Sequence, residues 1–253
     1  MKKADYSHVR SETYAFLANA LRFPDTNGLR ILLDAEYMSA WKKGIHDQCP
    51  ALSAIALELE TRLAQYADSA GTAHRVLEES FIKLFGHTVR GVCPPYESEY
   101  GKAQIIQQAS DLADIQGFYE AFGLRLVDGS HERIDHACVE CEFMSVMAAK
   151  QAYAIMQGNM EARQVLHDAQ AAFLEDHLGR WFIAFSRRLQ DADENGFYGN
   201  VGKLADKFIQ SECTRFGASC GPKFLQLKIL DPENDCCMQC GVEQSCPGAE
   251  QSA

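Results

Sequence analysis

The sequence predicts an all-α fold, and three observations carry it. Apolar residues recur at i, i+3, i+4 and i+7 along most of the chain. Glycine and proline gather in a few stretches between those runs, and no segment alternates over strand length. Tyr14, Leu17, Ala18 and Leu21 make the first stripe, which stops near Pro24. Similar spacing runs from Leu29 to about Ile45 and from Ala51 to about Tyr66. Residues 73–85 continue with Val76, Leu77, Phe81, Leu84 and Phe85, and Gly86 reads as a helix end. Residues 86–101 hold three glycines and two prolines and read as a long loop, a feature that in a compact domain is usually functional or disordered. A helix follows from about Lys102 to Phe122, then a second loop over 123–134. Helical spacing resumes from Asp135 to Gln157, over 160–191 with a break, and over 197–216. After Gly221-Pro222 the helical signal ends, and the next stretch fits a short strand or an extended arm equally well. The expected organisation is one helical domain, 1–216, with a cysteine-rich, largely non-helical tail, 217–253.

Composition narrows the function. The 253 residues carry 24 basic and 35 acidic side chains, a net −11, with 47% hydrophobic residues. That is globular composition, and at this length one core needs no disulfide or metal support. The negative balance argues against nucleic acid, which calls for a basic footprint, and suits a positively charged partner. Two N-terminal lysines precede no apolar run, and no stretch approaches 18 apolar residues. Neither a secretory signal nor a membrane span is expected, which points to the cytoplasm.

Five pieces of the chain resemble the TorD/DmsD/NarJ family of redox-enzyme maturation chaperones. They are Phe81-Ile82-Lys83-Leu84-Phe85, Pro94-Pro95-Tyr96-Glu97-Ser98, Glu132-Arg133-Ile134-Asp135-His136, Glu140-Cys141-Glu142-Phe143-Met144, and the late aromatic run through Phe173, His177, Leu178, Trp181, Phe185 and Leu189. Order and spacing match over roughly residues 10–215. Ile134 stands where the family usually has proline before Asp-His. The resemblance implies an all-helical fold, no catalysis, and a client that is a molybdopterin-containing oxidoreductase catalytic subunit or its twin-arginine leader peptide. It implies binding before cofactor insertion and export.

The residues fit such a role. Residues 95–142 hold ten carboxylates against three basic groups, a net −7. Carboxylates on a loop accept bidentate bonds from arginine, and an adjoining apolar groove would take a hydrophobic run. The candidate client-binding residues are Tyr96, Glu97, Ser98, Glu132, Asp135, His136 and Glu140. Asp135 also fits as a cap at the helix start. His136, Glu140, Phe143 and Met147 share one stripe, expected at a groove's lip. Phe81, Leu84, Phe85, Trp181, Phe182 and Phe185 read as core, and Arg187-Arg188 as a solvated face. No nucleophile elbow or phosphate-cradling glycine loop is present.

The ten cysteines are uneven. Cys49, Cys93, Cys138 and Cys141 are dispersed and read as small apolar groups. Cys236, Cys237, Cys240 and Cys246 form C-C-x2-C-x5-C-P, with Cys213 or Cys220 as a further ligand. Thiolates at such spacing bind zinc or an Fe–S cluster, and the sequence leaves both open beside a redox tail or no cofactor at all. The helical domain needs no cofactor. A metal- or electron-carrying protein is therefore the alternative reading.

Overall fold

In a computed structural model, the structure describes residues 2–67, 70–86, 90–101, 105–127 and 132–228. Among the described residues ten α-helices follow in chain order: α1 Lys2–Leu21, α2 Thr26–Leu32, α3 Ala35–Gln48, α4 Ser53–Ala67, α5 Ala70–Phe85, α6 Ile105–Ala121, α7 Ala137–Met156, α8 Met160–Phe173, α9 Gly179–Ala192 and α10 Phe197–Phe216. The described residues are helical with only isolated β-bridges, as the periodicity predicts. None of these helices is long and apolar enough to cross a membrane.

α1 packs chiefly against α7, and α9 against α10. Between them lies a core that includes Tyr14, Phe16, Leu17, Leu21, Met147, Phe182, Phe185 and Phe208, all buried. Each such large apolar side chain stabilises the fold by roughly 1.5–3 kcal/mol relative to exposure. Phe81, Leu84, Phe85 and Trp181 are buried as expected. Phe81 and Phe85 meet Tyr198 edge-on, at 6.1 and 5.3 Å between ring centres. Cys93, Cys138 and Cys141 are fully buried, and Cys49 partly. Arg187 is half-exposed, but it is tied to Asp206 at 2.6 Å rather than merely solvated.

One polar group crosses this core. Arg10 is 1% exposed and reaches three helices. Its Nε donates to both Glu212 oxygens at 2.8 and 2.7 Å, its Nη1 to Gln151 at 3.1 Å and its Nη2 to Gln170 at 2.6 Å. The Phe216 ring lies 4.7 Å beneath the guanidinium.

Several boundaries differ from the sequence pattern. The run from Leu29 to Ile45 is two helices, because the Asp34 carboxylate caps α3 through the N–H groups of Glu36 and Tyr37. The break within 160–191 is a single π turn, Leu174–Leu178. Cys213, grouped by sequence with the tail, sits in α10 and is buried. α10 ends at Phe216, with Gly217 in the left-handed region at φ 69° and Ala218 N–H bonded back to the Cys213 carbonyl.

Residues 218–228 are an extended strap laid back on the helices. Gly221 N–H donates to Gly179 O at 2.8 Å, Gly101 N–H to Gln226 O at 2.9 Å and Lys228 N–H to Glu99 O at 2.9 Å. Arg90 ties the end of the strap down through the Lys228 carbonyl at 2.7 Å. Of the sequence's tail ligands, Cys236, Cys237, Cys240 and Cys246 lie outside the described residues.

Candidate functional site: an acidic cleft over buried carboxylates

The Pro95–Gly101 segment and the approach to α7 are joined backbone to backbone. Glu97 N–H donates to Asp135 O at 3.0 Å, and Ala137 N–H to Pro95 O at 2.8 Å. The Asp135 carboxylate accepts Ser98 N–H at 3.1 Å and both Nε and Nη2 of Arg133 at 3.0 and 2.9 Å. Arg133 also donates to the Ser98 hydroxyl at 2.5 Å and lies over the Tyr96 ring at 4.5 Å. Asp135 is therefore not the helix cap. That role is taken by His136, whose Nδ1 accepts the Cys138 N–H at 3.0 Å.

The seven sequence-selected residues do come together, but mostly inside. Glu97, Ser98, Asp135, His136 and Glu140 are buried, while Tyr96 and Glu132 are partly exposed. The expected acidic rim on these residues is instead a buried cluster. The two loops bury it by pairing their backbones, which leaves the side chains to one another. Burial drives the His136 pKa down to about 3, with Arg22 and Arg133 adding to it, so the ring is neutral. The Glu140 carboxyl is raised well above the usual range, by burial first and then by the charge of Glu97. Its Oε2 accepts from Trp181 Nε1 at 3.2 Å, and its Oε1 has no partner among the described residues.

Burial therefore favours the protonated form of Glu140 in the fold. Its proton is held when folded and released when unfolded above pH 4.5, so this group's contribution to stability falls as pH rises from there. Glu140→Gln, which keeps the shape and cannot ionise, should melt higher than wild type at pH 8. The gap should close toward pH 5. Melting curves across that range check it, and a gap independent of pH would refute the protonated state.

The sequence missed what lies beside this cluster. The π turn carries His177, buried between two carboxylates: Nδ1 faces Glu97 at 3.2 Å and Nε2 faces Asp114 at 3.0 Å. Burial opposes charge on the ring, but Glu97 and Asp114 outweigh it and the His177 pKa is raised. Burial also pushes Glu97 up, against the pull of His177 and Arg180. Outside this pair the surface opens. A hollow of about 540 Å³ is lined by Glu97, Asp111, Glu175, Asp176 and Arg180 on the helical side, and by the strap on the other. A second, of about 520 Å³, adds Asp114 and His177 and shares Asp111, Asp176 and Arg180. Together they form one cleft with five carboxylates against Arg180 and Lys228. Asp114, Glu175 and Asp176 are exposed at its mouth. Glu97, the pair Asp111 and Asp114, and the run Glu175-Asp176-His177 are far apart in the sequence, so no single local motif marks the cleft.

A different, mostly apolar hollow of about 350 Å³ opens between α1, α7 and the end of α6, with Ala18, Leu124, Leu126, Phe143 and Val146 among its walls.

Among the described residues, Glu132, His136 and Cys138 place three donor atoms within 4.8 Å of one another. Their chemistry suits zinc, but their hydrogen bonding does not. A neutral ring that accepts at Nδ1 carries its proton on Nε2, the nitrogen facing Glu132 at 3.4 Å. Metal binding there would displace that proton and uncap α7. The potential metal group is thus at the start of α7 rather than on the C-terminal cysteines, and it acts as a helix cap. Of the two further tail ligands the sequence offered, Cys213 is buried in α10 and Cys220 is exposed on the strap.

The fold is all-helical among the described residues, with an open acidic cleft on its surface. The model of the nitrate reductase delta subunit family matches residues 49–187, more than half of the chain. The chain is 25% identical over 214 residues to the perchlorate reductase assembly chaperone protein of Dechloromonas aromatica, covering 83% of this chain and 91% of that one. It is 30% identical over 138 residues to chaperone protein TorD of Photobacterium profundum, covering 53% of this chain and 61% of that one. It is 27% identical over 106 residues to the selenate reductase assembly chaperone protein of Thauera selenatis, covering 42% and 53%. The chain belongs to the TorD/DmsD/NarJ family of redox-enzyme maturation chaperones.

Proposed function

We propose that this protein is a cytoplasmic, system-specific chaperone that binds the precursor of a molybdenum-containing oxidoreductase while its cofactor is inserted and before export. The observation that carries this reading is the open acidic cleft, with carboxylates from α6, the 97–101 turn and the π turn converging on one surface. Its chemistry suits an arginine-bearing segment such as a twin-arginine leader, because paired carboxylates accept the guanidinium fork. Glu97 and Ser98 form its floor. Tyr96, Glu132, Asp135, His136 and Glu140 act as positioning residues that hold that floor in place. The apolar hollow offers a place for the client's hydrophobic run. Work is done by binding, not turnover, which accords with relatives named as assembly chaperones.

Calorimetric titration of a leader peptide with an Arg pair tests this. Asp114→Asn combined with Asp176→Asn should weaken binding about tenfold at low salt, from two exposed pairs worth up to about 1 kcal/mol each. The loss should shrink as salt rises. A peptide with both arginines replaced by glutamine should bind weakly to wild type and variant alike. Unchanged affinity in the folded double variant would refute the cleft as the client site.

A further inference from the structure

Cys213 and Cys220 are a pair that neither the family assignment nor the cleft's role uses. Cys213 is buried near the end of α10, and Cys220 is exposed at the start of the strap. Cys213 and the residue after Cys220 both meet the first turn of α9. A Cβ built on Gly179 would stand 3.1 Å from the Cys213 sulfur, and the Gly179 carbonyl accepts the Gly221 N–H at 2.8 Å. The strap is seated closely here, since a Cβ at Gly221 would collide with the Arg180 carbonyl. Cys220 is near enough to raise the Cys213 pKa, after burial. Both are free thiols in this structure.

We propose that Cys213 and Cys220 form a thiol–disulfide exchange site that locks the strap as a wall of the acidic cleft. The oxidant is a low-molecular-weight disulfide of the glutathione class. The Cys220 thiolate attacks one sulfur of that disulfide, forms a mixed disulfide and expels one thiolate. Cys213, on losing its proton, then attacks the Cys220 sulfur and expels the second. One oxidant is reduced to two small thiols, the two protein thiols supply the two protons, and one intrachain disulfide results. Burial raises the Cys213 pKa, so the second step is the slow one.

The consequence lies in what the strap does. Ser219, Cys220, Gly221, Pro222 and Leu225 form the side of the cleft facing Asp111 and Asp176. In the reduced protein this wall is held by backbone hydrogen bonds, by Glu175, which accepts the Ser219 N–H, by Leu225 packed on the core, and by Arg90 at the far end of the strap. A covalent link at its root removes the strap's freedom to swing away from α9.

The full-length chain is incubated with glutathione disulfide, alkylated and digested with trypsin. Cys213 and Cys220 fall in separate peptides, residues 208–215 and 216–223, and cysteines 236–246 fall in a third. The expected product is the first two peptides joined, lighter by two hydrogens than their sum. It should be absent in Cys220→Ser and in Cys213→Ser. Limited proteolysis of the folded protein at Lys223 should slow severalfold on oxidation and recover with reductant. Glutathione held on Cys220 with Cys213 still reduced would overturn the proposal, as would Cys220 joined to the third peptide. Unchanged cleavage at Lys223 would overturn the locking role. None of these readouts uses the client, so failure here is distinct from failure of the leader-binding reading.

Discussion

Arg10→Ala should lose about 3–5 kcal/mol of folding stability in urea titrations, and Glu212→Ala a similar amount. Neither side chain reaches water, at 1% and 0% exposure. Removing Glu212 leaves the Arg10 guanidinium buried with Gln151 and Gln170 as neutral company, and removing Arg10 leaves the buried Glu212 carboxylate with the Arg215 guanidinium at 3.6 Å. That loss is much larger than the median worth of an exposed ion pair, about 0–1 kcal/mol. The pair's own net contribution is a separate quantity, because each ion was desolvated to form it. Arg10→Met combined with Glu212→Leu should therefore recover much of the single-variant loss. A loss of less than about 1 kcal/mol in Glu212→Ala would mean that water reaches the Arg10 guanidinium.

Acid should expose the second large effect. His136 is neutral in the fold, with a pKa near 3, while the unfolded ring titrates near 6.5. Above pH 6.5 the two states bind no different number of protons at this group. As pH falls below 6.5 the unfolded chain gains a proton that the fold refuses, so stability is lost until the folded pKa is passed. Over the whole window that amounts to about 4–5 kcal/mol, and to roughly 2–3 kcal/mol between pH 6.5 and 4.5. Glu97 and Glu140 push the other way, since their raised pKa values favour the fold as pH falls. The difference between proteins carries the test. His136→Asn keeps a cap acceptor but cannot charge. It should be less stable than wild type at pH 7, through lost volume, and close that gap toward pH 4.5. Parallel stability curves would refute the buried neutral ring.

Legibility followed sequence distance. The helical stripes were plain, and so were the aromatic core positions Phe81, Phe85 and Trp181, because both depend on neighbours a few residues away. Asp135-His136 at a helix start was legible too. Which of the two is the cap was not, since that turns on backbone angles one residue apart. The burial of Glu97, Asp135 and Glu140 was hidden because carboxylates ordinarily face water. What lets them go inside lies far along the chain: Ser98 is 37 residues from Asp135, and His177 is 80 from Glu97. The cleft has the same cause, with Asp114 and Asp176 on different elements. Cys213 was grouped with the tail by composition, although its burial is set by α9.

The Arg10–Glu212 contact joins positions 202 apart. A ribosome adding about 5–20 residues per second delivers the second partner roughly 10–40 seconds after the first. Throughout that interval the first helix carries a cation meant for the interior, and it cannot settle against α7 without burying that charge alone. Completion of the core is thereby deferred until nearly the whole helical body has emerged. The first helix made is thus the one whose buried charge is neutralised last.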